Sequence, residues 1–238
     1  MKVEVVIPAA GKGLRMGGSI PKPLLKIGSR PILIHTLAAL AENNFIKKVI
    51  LAVNQNYLDS FRRVLGRYKA DYGQRLTVDL VIGGNERKDS VKNCLSRLSF
   101  DTEIVLVHDA VRPFVDSDLV RALIGEALRS GAAIPGVPVK PTLKKITRSR
   151  CRGVSRFTVK KTIQREDIWE TQTPQAFKRE IIIKAYKNSR RVKVTDDAQL
   201  VERLGFNVSV VLGSYTNIKI TTPEDLVFAE AIYKKLKK

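Results

Sequence analysis

PAAGKGLRMGGSIPKPLL, residues 8–25, follows the apolar run Val3–Ile7 and decides how the chain begins to fold. The run is rich in β-branched residues, as buried strands are. The stretch after it consists largely of small residues, so its backbone can approach a ligand closely, and it carries Lys12, Arg15 and Lys22 as cations. A strand that opens onto such a loop predicts a polyphosphate held by backbone N–H groups and side-chain charge.

The loop fits neither of the two common nucleotide-binding fingerprints. A dinucleotide-binding loop needs a third glycine where this chain has Met16. A Walker A loop needs a lysine after its last glycine, whereas Gly18 is followed directly by Ser19. Because both patterns fail at a required residue, the loop predicts a phosphate site of another kind.

Length and charge narrow the class of protein further. The 238 residues suit an α/β domain with a sizeable core, and we find no linker or repeat that would divide the chain, so we expect a single domain over 1–238. No run is long and apolar enough for a membrane span, and the N-terminus enters a strand at once, so we expect a cytoplasmic protein without a membrane partner. The net charge of +20 indicates anionic partners, either nucleotides or nucleic acid, or else simply a lysine-rich surface.

Strand-like and helix-like patterns alternate along most of the chain, which predicts an α/β fold with a mostly parallel sheet covered on both faces. Ligands of such sheets bind at the carboxyl ends of the strands. The predicted strands are Val3–Ile7, Val49–Val53, Leu76–Ile82, Ile104–His108, Ala132–Val139 and Val208–Leu212, and the predicted helices are 32–42, 58–72, 90–98, 117–129 and a C-terminal one.

The alternation ends after Pro138. Two β-like pieces, 142–147 and 156–162, flank a turn-like stretch and predict a hairpin. No acidic residue lies between Glu126 and Glu166, so the hairpin is strongly basic. A hairpin that projects from an α/β core has exposed edges and few core contacts of its own. We therefore expect a β-arm at about 140–171 that packs against a second subunit.

Two further strand-end loops carry chemistry. In His108-Asp-Ala-Val-Arg-Pro113, Asp109 follows an apolar strand directly, where a carboxylate needs a cation or donors nearby. A Mg²⁺ ion that accompanies a nucleotide triphosphate would serve, since it binds one or two carboxylates plus phosphate oxygens. The second loop, Gly83–Val91, allows close backbone approach, although it equally suits an ordinary turn before a helix capped by Asp89 or Ser90.

The loops lack the features of covalent catalysis. No Ser-His-Asp order or Cys-His pairing stands out, and the chain has only 2 histidines. This absence favours chemistry carried out by positioning and charge stabilisation, as in transfer at phosphorus.

Seven motifs in order along the chain resemble the 2-C-methyl-D-erythritol 4-phosphate cytidylyltransferase family of non-mevalonate isoprenoid synthesis. The resemblance implies a three-layer Rossmann-like nucleotidyltransferase fold with a projecting β-arm, the substrates CTP and methylerythritol phosphate, Mg²⁺ as cofactor, and a homodimer through the arm. The motifs are Ala9–Met16 with Pro21-Lys22, Gly83-Gly84 with Glu86-Arg87 and Asp89-Ser90-Val91, His108–Pro113, Thr173–Phe177, Thr195-Asp-Asp197, Asn217–Thr221 and Pro223-Glu-Asp225.

The resemblance also implies roles for individual residues. Arg15 and Lys22 would be the catalytic cations on the triphosphate. Asp109 would lie near the ribose and the metal. The arm would contribute to the partner's site. The nucleotide would be bound by Ala9, Ala10, Gly11, Gly84, Asn85, Ser90, Asp109 and Ala110, and the methylerythritol phosphate by Asp109, Arg112, Thr142, Arg165 and Lys219.

Two positions depart from the family pattern. Pro23 stands where the family commonly has Gln, and Asn85 stands where it commonly has Asp. A related cytidylyltransferase that acts on another polyol phosphate, such as ribitol 5-phosphate, is therefore an alternative. A basic nucleic-acid-binding protein is a further alternative, but the basic 140–165 segment offers only Phe157 for base stacking. We therefore expect no nucleic-acid partner.

Overall fold

The computed structural model describes residues 1–11, 20–73, 76–151, 154–189 and 194–236. Twelve strands occur there, at Val3–Pro8 (β1), Lys26–Ile27 (β2), Arg30–Pro31 (β3), Ile46–Val53 (β4), Thr77–Ile82 (β5), Ile104–Val107 (β6), Ala132–Pro138 (β7), Leu143–Cys151 (β8), Val154–Ile163 (β9), Trp169–Thr171 (β10), Gln175–Lys178 (β11) and Ser209–Leu212 (β12). The α-helices are Ile32–Ala41 (α1), Leu58–Arg67 (α2), Arg87–Leu95 (α3), Ser117–Ser130 (α4), Arg179–Lys187 (α5), Ala198–Glu202 (α6) and Pro223–Leu236 (α7).

A central sheet of eight strands organises the chain. It runs β5-β4-β1-β6-β11-β7-β12, and β10 pairs with β7 beyond the end of β11. β1 is parallel to both β4 and β6, and β4 is parallel to β5, which confirms the predicted parallel half. β10 and β11 are antiparallel to their neighbours and were not predicted. Both are short, so they carry almost no periodic signal.

Both faces of the sheet are buried, because side chains alternate between them along each strand. Val5 and Ile7 of β1 pack into a core with α1, α2 and α4, whereas Val6 packs into a second core with α3, α5 and α6. The predicted three-layer α/β fold is thereby confirmed. A third, smaller cluster around Ile32 and Ile220 joins α7 to the start of α1 and lies beside the carboxyl ends of the strands.

The predicted helix 58–72 is wrong at its C-terminal end. The α-helix stops at Arg67, and a separate 3₁₀ turn covers Lys69–Tyr72. The ring of Tyr72 is buried and its hydroxyl donates to the carbonyl oxygen of Leu65 at 3.1 Å. This bond satisfies one of the carbonyls that a helix end leaves without an intrahelical partner, so the chain can turn back towards the sheet.

The predicted hairpin is present and forms a two-stranded sheet of its own. β8 and β9 pair antiparallel from Leu143 to Cys151 and from Val154 to Ile163. Ile146, Phe157 and Val159 of this arm are exposed, and Phe157 is 68% accessible. An isolated two-stranded ribbon is marginally stable in water, so the arm lacks a packing surface of its own.

Candidate active site

A cavity of about 480 Å³ opens at the carboxyl ends of β1, β5 and β6. Its wall therefore comes from the loops that the sequence singled out, together with the segment before α7. The lining residues are Pro8, Ala9, Ala10, Gly11, Lys22, Pro23, Gly84, Asn85, Glu86, Arg87, Ser90, Asp109, Ala110, Val111, Lys219, Ile220 and Thr221.

Lys22 begins a short 3₁₀ turn over Lys22–Leu24. The next residue, Pro23, is buried and fixes the backbone φ beside the lysine. Lys22 Nζ donates a hydrogen bond of 2.7 Å to the carbonyl oxygen of Thr221. The predicted catalytic lysine thus lies in the cleft, whereas its predicted partner Arg15 falls outside the described residues.

The glycine loop after β5 lies against the first loop at very short range. A β-carbon at Gly83 would overlap the side chain of Ala10, and one at Gly84 would overlap Asp89. The Ser90 hydroxyl accepts from the N–H of Gly84 at 3.1 Å and donates to the carbonyl of Glu86 at 3.2 Å. This hydroxyl therefore fixes the backbone of the loop.

The helix that follows this loop starts earlier than predicted. α3 begins at Arg87, and its N-cap is Glu86 rather than Asp89 or Ser90. Asp89 instead accepts a hydrogen bond from the backbone N–H of Glu86 at 3.1 Å. This capping box satisfies a backbone donor that the helix itself cannot pair.

Asp109 is the electrostatic centre of the cavity. Its Oδ2 accepts from Arg112 Nε at 3.3 Å and lies 2.9 Å from Lys219 Nζ. Its Oδ1 lies 3.9 Å from Arg87 Nε. Burial alone would raise the pKa of this carboxyl, but the three cations, Lys219 foremost, outweigh it and hold the pKa at about 2. Asp109 is therefore ionised at any physiological pH.

His108 is fully buried beneath Asp109 and is a structural residue. Its Nε2 lies 3.1 Å from the carbonyl oxygen of Arg112, which can only accept, so Nε2 carries the proton. Its Nδ1 lies 3.0 Å from the Thr173 hydroxyl, which also accepts from the N–H of Asp109. Burial lowers the pKa of His108 to about 4, so the neutral ring holds Asp109 in place.

A second buried carboxylate, Asp197, lies behind the cavity wall. Arg87 Nη2 donates to its Oδ2 at 2.7 Å, and the Tyr186 hydroxyl donates to its Oδ1. Burial opposes the charge on Arg87, but Asp197 outweighs it and raises the pKa of the guanidinium above its usual range. Burial, together with Asp197, also raises the pKa of Tyr186.

Three of the predicted substrate-binding residues do not line this cavity. Arg112 is buried behind Asp109 and donates to the Asn217 carbonyl at 2.6 Å, so it braces the wall. Thr142 and Arg165 lie exposed at the base of the arm, where Arg165 lines a separate depression with Tyr215. Within one chain, therefore, the structure does not bring Thr142 and Arg165 to the loops that line the cavity.

Several residues that line the cavity had no predicted role, among them Glu86, Arg87 and Thr221. Glu86-Arg87 belongs to one of the motifs that carry the family resemblance, but nothing in its immediate surroundings indicated a partner 110 residues away. Thr221 contributes its backbone carbonyl, which no side-chain pattern reveals.

The described residues contain no group of three or more His, Cys, Asp or Glu side chains that could hold a metal ion by themselves. A closed protein cage is therefore not formed there. Asp109, a buried and ionised carboxylate beside room for a ligand, fits Mg²⁺ held jointly with phosphate oxygens. In the same part of the chain, no helix is long and apolar enough to cross a membrane.

Comparisons with known proteins agree with this geometry. The model of the 2-C-methyl-D-erythritol 4-phosphate cytidylyltransferase family, IspD, matches residues 3–235. A protein of that name from Syntrophus aciditrophicus is 44% identical over 98% of this chain and 97% of its own, and one from Alkaliphilus metalliredigens is 40% identical over 99% and 95%. A crystal structure of 4-diphosphocytidyl-2C-methyl-D-erythritol synthase from Anaerococcus prevotii is similar with a TM-score of 0.80 and 32% identity, covering 98% of both chains.

Together with these matches, a mostly parallel α/β sheet with glycine loops, Lys22 and Asp109 at its strand ends places the chain among the nucleotidyltransferases. The full-length match makes the assignment specific. The chain belongs to the 2-C-methyl-D-erythritol 4-phosphate cytidylyltransferase family.

Proposed function

We propose that this chain transfers the cytidylyl group of CTP to 2-C-methyl-D-erythritol 4-phosphate. The observation that carries the proposal is the convergence of Lys22, Asp109 and Lys219 on one cavity whose remaining wall is largely small residues and backbone. The cations suit phosphates, and the small residues leave room for a base and a ribose.

The nucleotide end of the cavity is formed by small residues. The proposed contacts are the backbone of Ala9, Ala10, Gly11 and Gly84, the side chain of Asn85, and Asp109 with Ala110 near the ribose. The overlap that any side chain at Gly83 would cause with Ala10 keeps the two loops in direct contact. Ser90 supports recognition by fixing the amide of Gly84. Backbone groups can then distinguish bases by their hydrogen-bond pattern.

The chemical step is a displacement at phosphorus. A phosphate oxygen of the acceptor attacks the α-phosphorus of CTP, the bond from that phosphorus to the bridging oxygen of the β-phosphate breaks, and pyrophosphate leaves with the electron pair. Lys22, and by family resemblance Arg15, stabilise the negative charge on the transferring phosphoryl group. Lys22 must exchange its bond to the Thr221 carbonyl for a phosphate oxygen, which is the stronger, charged acceptor.

Mg²⁺ would be held by Asp109 together with triphosphate oxygens. It supplies charge neutralisation on the phosphates when bound. Asp109 suits this role because its neighbouring cations keep it ionised, so no proton needs to leave. Lys219 and Arg112 counter the carboxylate and keep it in a single orientation.

The acceptor phosphate would be bound by Lys219 from one subunit and by Thr142 and Arg165 from a second. Within one chain Thr142 and Arg165 lie exposed at the base of the arm and do not line the cavity. The exposed apolar side chains of the arm, among them Ile146 and Phe157, favour a homodimer in which they are covered. Arg112 then acts by positioning Asp109 rather than by touching the acceptor.

The test is pyrophosphate release from each of the four nucleoside triphosphates, each combined with methylerythritol phosphate, ribitol 5-phosphate and a sugar 1-phosphate. We expect release with CTP and methylerythritol phosphate only. Preferential release with ribitol 5-phosphate would instead identify that polyol phosphate as the acceptor. No release in any combination would refute the proposed reaction.

A further inference from the structure

Two motifs that carry the family resemblance have no role in the reaction described above, Glu86-Arg87 and Thr195-Asp-Asp197. The fold brings them together, since Arg87 Nη2 donates to Asp197 Oδ2 at 2.7 Å across 110 residues of chain. Asp197 is completely buried and also accepts from the Tyr186 hydroxyl. A buried carboxylate needs such partners, so Asp197 holds the Arg87 guanidinium firmly.

The same guanidinium faces the catalytic cavity. Arg87 Nε lies 3.9 Å from Asp109 Oδ1, which is beyond hydrogen-bond distance. The other oxygen of Asp109 is already bound by Arg112 and Lys219. Arg87 therefore stands between two buried carboxylates and is bonded to only one of them.

We propose that Asp197 is a positioning residue that holds Arg87 away from Asp109 and so keeps Asp109 Oδ1 available to the bound nucleotide and its Mg²⁺. The inference rests on the proposed function, in which Asp109 meets the nucleotide. Tyr186 strengthens the arrangement by fixing the opposite oxygen of Asp197.

The physical basis is competition between two carboxylates for one cation. If Asp197 becomes neutral, Asp109 is the one carboxylate among the described residues that still forms an ion pair with Arg87. Closing from 3.9 Å to a charge-assisted hydrogen bond takes a movement of about 1 Å. Asp109 would then be bonded through both oxygens, and a ligand would have to displace Arg87 before binding.

The test is a pair of variants, Asp197→Asn alone and Asp197→Asn combined with Arg87→Gln. Two quantities are measured, kcat/KM with CTP and methylerythritol phosphate, and the Kd of CTP with Mg²⁺ by calorimetry without acceptor. We expect Asp197→Asn to lower kcat/KM and to weaken CTP binding by about tenfold or more. We expect the double variant to recover both to within about threefold of the wild type, because the competing cation is gone.

Asp196→Asn is the matched control. Asp196 is the adjacent carboxylate of the same turn and accepts from Gln175 at 2.8 Å and from the N–H of Gln199 at 3.1 Å, away from Arg87. The Asp196→Asn variant should have a lower thermal unfolding temperature but the CTP affinity of the wild type. A double variant no better than Asp197→Asn would overturn the inference, since a structural role for Asp197 or a direct ligand contact by Arg87 predicts that result. So would an equal loss in Asp196→Asn.

Misfolding of a variant, or failure of the proposed reaction, can be distinguished from failure of this inference. If Asp197→Asn does not fold, the double variant decides alone, because it carries neither charge. Its CTP affinity within about threefold of the wild type supports the inference, and a tenfold loss refutes it. If the wild type binds CTP but forms no product, the proposed reaction fails, while the order of CTP affinities still decides the role of Asp197.

Discussion

Lys22 Nζ donates to the backbone carbonyl of Thr221 at 2.7 Å, which joins the 3₁₀ turn Lys22–Leu24 to the segment that precedes α7. Thr221 is itself fixed, since Asp225 Oδ2 accepts from its N–H at 2.7 Å and from its hydroxyl at 2.8 Å. The lysine is therefore placed in the cleft before any substrate binds. Less binding energy is then spent on ordering it in the transition state.

Lys22→Ala should lower kcat by about a thousandfold, because one charge that stabilises the transferring phosphoryl group is lost. The fold should survive, since Lys22 is only partly buried. The measurement is pyrophosphate release together with thermal unfolding. Lys26→Ala is the control, because Lys26 is exposed on β2 and outside the cavity. Full activity of Lys22→Ala would falsify the proposed role.

Gly83→Ala should weaken CTP binding by about tenfold, since its β-carbon would overlap Ala10 and lie 2.8 Å from Ser90 Oγ. Either the loops separate or the backbone shifts, and both disturb the nucleotide wall. Gly125→Ala is the matched control in α4, where a β-carbon meets nothing within 4 Å. It should leave binding unchanged and stabilise the protein by about 0.5–1 kcal/mol. Calorimetry and denaturant unfolding measure both effects, and equal CTP affinity in the two variants would count against a tight nucleotide wall.

Acid should destabilise the protein through His108. The pKa of this ring falls from its ordinary 6.5 to about 4 on folding, so between these values the unfolded chain binds a proton that the folded one excludes. The contribution of His108 to the free energy of unfolding is therefore fully present above pH 6.5. It decreases by about 3 kcal/mol as the pH falls towards 4. Denaturant unfolding as a function of pH measures the slope.

His108→Gln should remove that contribution, whereas His35→Gln retains it and serves as the control, since the chain has 2 histidines. An unchanged slope in His108→Gln would show that His108 is not the residue responsible. Asp109 contributes to the pH dependence of stability only at lower pH. Its pKa is depressed to about 2, so its contribution is present above its ordinary 3.8 and is lost only as the pH falls through 2.

Mixing two inactive variants tests the shared site. If Arg165 completes the site of a partner, Lys22→Ala and Arg165→Ala chains that are unfolded together and refolded should regain about a quarter of wild-type activity. Half of the dimers are then mixed, and each mixed dimer has one intact site. Refolding of each variant alone is the control. If both residues act within one chain, the mixture stays inactive.

Much of the fold and the site followed from local patterns. The strand before residues 8–25, the glycine pair at 83 and the carboxylate at Asp109 were each predicted at a strand end, where the structure has them. Parallel strands place such ends at one edge of the sheet, so spacing alone brought these loops together. Local patterns failed at β10 and β11, which are too short to show periodicity and depend on pairing with β6 and β7.

By itself, then, the sequence determined the α/β class, the loops at the strand ends, the arm and the family, because these depend on periodicity, residue type and motif order. Only the tertiary structure decided which cations meet which carboxylates. Arg87 donates a hydrogen bond to Asp197 rather than to Asp109, and Lys22 donates one to the carbonyl of Thr221. These bonds join residues 110 and 199 positions apart in the chain. Such contacts depend on distances of a few ångströms between side chains on different elements, and no pattern along one element encodes them.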